Sequence, residues 1–220
     1  MARRRRWFFE GVSLHVHNRG NNRADMFCDE HDRVLFLMAL IESSRNFNVA
    51  VHNWVLMKNH FHLLATPASK YSLPRMMQQV GRRYVPCFNR RSGRTGSLWE
   101  GRYSAHLVDT DMYWYRCARY IELNPVRASL AVTPHEYPWS SYHALACGAA
   151  DELVTPHALY LALGASPLER QAAHRAMCGT ELTETDLASI RNALRTGLSG
   201  AELPESIGLV GGNLTFVPQT

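Results

Sequence analysis

The sequence predicts an α+β fold, a four-stranded antiparallel sheet with helices on one face and a helical tail after it. Three observations carry this. Short runs that alternate apolar and polar residues are interleaved with longer runs of 3-and-4 spacing. Glycine, asparagine and proline stand at the boundaries between them. The 220 residues are 46% hydrophobic and 20% charged, ordinary globular usage that suffices for one well-buried domain plus an appendage.

Residues 12–18 (VSLHVHN) alternate as a strand and run into the turn-forming Gly20-Asn21-Asn22. Asp29 is placed to cap a helix reaching about Arg45, with Val34, Leu35, Leu37, Met38 and Ile41 as its apolar stripe. Residues 48–57 read as a second strand, Lys58-Asn59 as a tight turn and His60 to Thr66 as a third strand, together a hairpin. Ser72 or Pro74 starts a helix through about Phe88. A loop follows over residues 92–97, then a fourth strand from Tyr103 to Val108. Asp109 or Thr110 caps a helix to Asn124, where Pro125 ends or kinks it. Strand, helix, strand, strand, helix, strand is the order of a ferredoxin-like split βαβ arrangement. Past residue 147 the chain turns acidic and rich in alanine and leucine, which suggests two or three helices over 151–196; residues 197–220 are glycine-rich and polar.

Charge is distributed unevenly. Residues 1–149 hold 20 Lys and Arg against 11 Asp and Glu, a net of +9, whereas residues 150–220 hold 4 against 8, a net of -4. The first part is therefore the one to bind a polyanion. Within residues 70–103, eight basic side chains (Lys70, Arg75, Arg82, Arg83, Arg90, Arg91, Arg94 and Arg102) are interleaved with Tyr71, Tyr84, Phe88, Trp99 and Tyr103. Arginine with aromatic residues is the combination that single-stranded nucleic acid sites use. A solvated face is the plainer reading of the same run. Five scattered cysteines without a CxxC pair point to reduced thiols. No apolar run reaches the ~18 residues of a membrane span, and Arg3 to Arg6 lead straight into Trp7 without a signal-peptide core. We expect a cytoplasmic chain without a membrane partner.

The chemistry concentrates in WVLMKNHFHLLAT, residues 54–66. On a strand His60, His62 and Leu64 point one way while Phe61, Leu63 and Ala65 point the other. Two neighbouring imidazoles suit capture of a divalent cation; they also suit a merely solvated strand face. In the last core helix Tyr113, Cys117, Tyr120, Ile121 and Asn124 share one face. Tyr120 there is either a core tyrosine or, if that face meets the His60/His62 face, a reactive one.

HVHNRG at 15–20, LMKNHFHLL at 56–64, GSLWEGRY at 96–103 and YIELNPV at 120–126 together resemble the REP-associated tyrosine transposases, bacterial members of the HUH single-tyrosine superfamily. The resemblance spans about residues 10–145. It implies a ferredoxin-like (RRM-like) core, His60 and His62 as ligands of a divalent metal (Mg or Mn), and Tyr120 as the nucleophile. It also implies cleavage and transfer of single-stranded or hairpin DNA beside palindromic repeats through a 5'-phosphotyrosine. In insertion-sequence relatives a glutamine four residues after the tyrosine often completes the metal site. Asn124 stands there and offers the same amide oxygen on a shorter arm.

Arg82, Arg83, Arg90, Arg91 and Arg94 are the expected phosphate contacts, joined by Arg19, Arg23 and Arg102 and by Arg3 to Arg6. We divide the chain into a catalytic domain, 1–147, and an acidic helical tail, 148–220. A non-catalytic DNA- or RNA-hairpin regulator derived from a transposase is the alternative function, and the superfamily's members include both monomers and homodimers.

Overall fold

The computed structural model describes residues 10–196 and, beyond them, 207–210 and 213–216. The arginine run at 3–6 lies outside the described residues. The elements follow in the order expected. Strand β1 (Leu14–Arg19) leads to α1 (Glu30–Asn46), β2 (Val49–Leu56), β3 (His60–Pro67), α2 (Ser72–Arg91), β4 (Ser104–Leu107) and α3 (Asp111–Glu122). After them come α4 (Asn124–Arg127), α5 (Tyr142–Cys147), α6 (Ala158–Leu161), α7 (Pro167–Cys178), α8 (Glu184–Thr196) and a hairpin of β5 (Ile207–Val210) and β6 (Asn213–Phe216). The four-stranded sheet has the order β2-β3-β1-β4 and is antiparallel throughout. This is the ferredoxin-like arrangement.

Local chemistry sets the boundaries. Asp29 caps α1 by accepting the Asp32 N–H, and Thr110 caps α3 by accepting that of Tyr113. Asn48 takes a left-handed backbone, φ 50°, to turn the chain from α1 into β2, a conformation asparagine tolerates better than most residues. Pro125 cannot continue the hydrogen-bond ladder of α3, so that helix stops at Glu122 and resumes as the single turn α4.

Alternation sorts the sheet into two unlike faces. Leu14, Val16, Phe61, Leu63 and Ala65 bury against Phe36 and Leu40 of α1 and Met76, Val80 and Tyr84 of α2. The opposite face is held by a second apolar core, in which Val55 and Leu64 of the sheet meet Trp114, Cys117 and Ile121 of α3. Thus α1 and α2 cover one face, as the sequence predicts, and α3 covers the other. The tail then packs against α3 through Tyr160, Leu182, Leu187 and Ile190, and α8 also reaches β4. The segment after α4 also shields β2, the sheet's edge strand: Leu56 donates to the Trp139 carbonyl (2.9 Å), Ser141 to that of Trp54 (2.9 Å) and Thr155 to that of Val51 (2.7 Å).

Candidate active site

Residues directly opposite in an antiparallel pair share a face, so the register decides which histidines meet. His17 pairs with His62, Arg19 with His60, and His15 with both Leu64 and His106. Five histidines (15, 17, 60, 62 and 106) therefore stand on one side of three adjacent strands. Tyr120 reaches this face from α3. Its ring lies edge-on to His62 at 5.5 Å between centroids and to His15 at 5.8 Å. The helix face carrying Tyr120 and the strand face carrying His60 and His62 do meet.

The hydrogen bonds orient both imidazoles of the HFH run. His15 Nε2 lies 2.9 Å from His62 Nδ1, and His60 Nδ1 donates to the Asn59 amide oxygen at 2.7 Å. In each ring the Nδ1 is engaged, which fixes the orientation of the imidazole, as second-shell groups do for ligating histidines. Asn124 supplies a hydrogen bond to His60, which brings the amide beside the pair. Burial is the largest influence on all of these rings. It lowers His62 well below its ordinary pKa, helped by the neighbouring His17 and His15, and it lowers His60 to about 4 against the opposing pull of Asn124. His17 falls to about 3 through burial and the proximity of His60. Two neutral imidazoles beside an amide side chain are a donor set that fits a divalent cation.

A different trio, Glu122, His174 and Cys178, forms the tightest grouping of histidine, cysteine and acidic donors among the described residues. Glu122 is two residues from Tyr120 and so points to the opposite side of α3, where it meets Asn53 of β2. The Glu122 carboxylate accepts from Asn53 (2.8 Å) and Ser141 (2.7 Å) on one oxygen and faces His174 Nε2 (2.6 Å) and Cys178 Sγ (3.6 Å) on the other. Burial works against its ionisation, yet His174, Ser141 and Asn53 outweigh that and hold the carboxyl below its ordinary pKa. Every lone pair is spoken for, so this is a clamp between α3 and the tail.

The profile of the family described as Transposase IS200 like matches residues 9–124, just over half of the chain. The chain belongs to the IS200-like transposase family. Among solved structures, a REP-associated tyrosine transposase bound to a REP hairpin is 18% identical; the match covers 71% of this chain and 93% of that one, with a TM-score of 0.54. At that identity the likeness establishes a shared fold. A Deinococcus radiodurans protein named as a transposase is 14% identical over 51% of this chain and 89% of its own, with a TM-score of 0.38 too low to add to the argument. No curated protein sequence matches.

In this IS200-like transposase the expected arginines fall into two groups. Arg19 pairs with Glu100, Arg83 with Glu42, and Arg91 with Asp29 and the buried Asp32. Arg82, Arg90 and Arg23 are exposed, and among the described residues no carboxylate pairs with them; Arg94 lies over the Phe88 ring. Arg102 lies at the edge of the histidine face, where it lines one depression with His17, Ser104 and Arg191. Sequence reasoning passed over Arg127. Its guanidinium sits 4.0 Å from the centre of the Tyr120 ring and donates to the Tyr120 carbonyl at 2.9 Å. Its position seven residues after Tyr120, beyond a proline, hid it from helical periodicity. The alternation of HVH at 15–17 could have revealed the second pair of histidines. Among the described residues no helix is long and apolar enough to cross a membrane.

Proposed function

We propose that this chain is a metal-dependent single-strand DNA endonuclease and strand transferase that works in the cytoplasm beside palindromic-repeat hairpins and carries the cut end as a 5'-phosphotyrosine on Tyr120. One observation carries the reading: the Tyr120 ring meets the histidine face at 5.5 Å from His62, with the Arg127 guanidinium over its other side. Family membership and the hairpin held by the solved relative of similar fold support it.

His60, His62 and Asn124 are the residues that would hold the cation, Mg or Mn. When bound, that cation would polarise the scissile phosphate and stabilise the leaving oxygen. A phenol of pKa about 10 is only about one part in a thousand ionised at neutral pH, so positioning has to compensate for a weak nucleophile. His15 and Asn59 keep the two rings fixed, and Arg127 offers donors to the non-bridging oxygens of a phosphate beside Tyr120. Attack by Oη forms an O–P bond and breaks the P–O3' bond. The phenolic proton is given up and the 3' oxygen gains one. One phosphoester replaces another, so rejoining or transfer of the strand needs no nucleotide cofactor. We assign this chemistry to residues 1–147, with residues 148–196 packed against α3 and, through α8, against β4.

The test is a labelled single-stranded hairpin with a 5' flank, incubated with Mg or Mn and run under denaturing conditions. The wild-type chain forms a covalent adduct, and Tyr120→Phe, which loses one oxygen, binds the hairpin without forming it. Binding with no adduct from the wild-type chain would instead establish a non-catalytic hairpin binder.

A further inference from the structure

Helix α2 carries two residues that weaken it, and both line one cleft. Glycine in a helix interior is less favourable than alanine, and an interior proline removes a ladder hydrogen bond. Gly81 and Pro86 occupy such positions, and both face a cleft of about 600 Å³ between α2 and the 97–103 loop. Packing within the chain does not call for glycine at 81. Its φ is not positive, and a Cβ there would meet Trp99 Nε1 at 3.6 Å, an ordinary contact. Pro86 has no N–H to give the Arg82 carbonyl, so the cleft wall holds a backbone acceptor without its helical donor.

The cleft's far wall is Trp99. One part of the indole packs toward Phe36, Phe61 and Tyr84 of the first core, at 6.3, 6.3 and 6.4 Å between centroids, and the half-buried remainder lines the cleft. Arg82 and Arg102 stand at its rim. Asn18 and Arg102 also line the adjoining depression that contains His17 and Ser104, so the cleft continues around the sheet edge toward the histidine face.

We propose that this cleft is a nucleobase-binding site. One unpaired base of the DNA strand stacks on the part of Trp99 that lines the cleft, beside Gly81, while Arg82 and Arg102 take the phosphates on either side. The inference rests on the reading of the chain as a single-strand DNA enzyme and adds where a base outside the cleavage point is held. An aromatic floor with arginine at its rim is the chemistry of single-strand stacking sites, and it tolerates any base because each has a π face.

The probe is the same hairpin with its single-stranded flank made abasic at one position at a time. For the wild-type chain one position stands out, with affinity lowered about 5- to 100-fold, the loss of one stacked base. Gly81→Leu fills the cleft: it lowers affinity for the intact strand by a similar factor and flattens the profile at that position, with Gly81→Ala giving a smaller loss. Thermal denaturation establishes that the variants are folded. Independently of any variant, 5-iodouracil at the same position crosslinks the wild-type chain to Trp99 on irradiation. An unchanged abasic profile in folded Gly81→Leu, or a crosslink confined to another part of the chain, overturns the inference. Adduct formation is scored separately: a wild-type adduct with no effect of Gly81→Leu removes the base site alone, and a Trp99 crosslink without any adduct removes cleavage alone.

Discussion

Replacing His174 by alanine takes away the imidazole that the fully buried Glu122 carboxylate faces across 2.6 Å. The carboxylate keeps Asn53 and Ser141 on its other oxygen, and Cys178 Sγ remains at 3.6 Å. Deleting one partner of a buried pair costs about 3–5 kcal/mol, because the carboxylate left behind stays out of water with one oxygen short of its partner. For a domain of this size each 1 kcal/mol moves Tm by about 2–4 °C, so a fall of about 6–20 °C is expected. Urea unfolding at pH 7 reads it directly, with the midpoint lowered and the slope unchanged. Adding Glu122→Gln removes the stranded charge, so the double variant is less destabilised than the sum of the two single changes. Because Glu122 is the last residue of α3, the helix that carries Tyr120, His174→Ala also slows adduct formation. A loss below about 1 kcal/mol, or strict additivity in the cycle, would refute the account of the clamp.

Metal removal gives a second expectation: EDTA, His60→Ala or His62→Ala abolishes the adduct while hairpin affinity, by fluorescence anisotropy, stays within about threefold of wild type, because phosphate contacts and not the metal ligands supply most affinity. The arginines give a third. Arg82→Ala with Arg90→Ala lowers the magnitude of the log-log salt slope for hairpin binding by about 1.4, at about 0.7 per single-stranded phosphate contact. Arg91→Ala, which unties Asp29 and Asp32 at the start of α1, shows up in thermal stability instead. Acid gives a fourth. His52 is buried with its Nδ1 donating to the Thr155 carbonyl, and burial lowers its pKa from 6.5 to about 4. The unfolded chain takes up a proton there below pH 6.5 that the folded chain refuses. Stability is complete above pH 6.5 and falls toward pH 4, by up to about 3 kcal/mol from this group. His52→Gln removes part of the slope, and equal pH profiles for the two chains would exclude His52 as its source.

The sequence by itself determined the elements and their order. Alternation at 12–18 and 60–66, the Asp29 and Thr110 caps and the breaks at Pro125 and around Gly93 are local effects, and the strands, caps and breaks appear within a residue or two of where local chemistry puts them. It also singled out His60, His62, Tyr120 and Asn124, because spacing on one strand or one helix fixes which side chains share a face. Tertiary structure decided what faces what. That His15 and His17 join the pair on β3 follows from strand register, a property of two distant segments that neither contains. Arg127 comes over Tyr120 only because α3 breaks and restarts, and among the basic side chains of 70–103 Arg83 and Arg91 are tied to carboxylates only when Asp29, Asp32 and Glu42 are packed beside them. The acidic tail reads as an appendage in sequence. Its His174, and the leucines and isoleucine of 182–190, have no partners until α3 is laid against them, and burial of that shared surface is what joins the tail to α3.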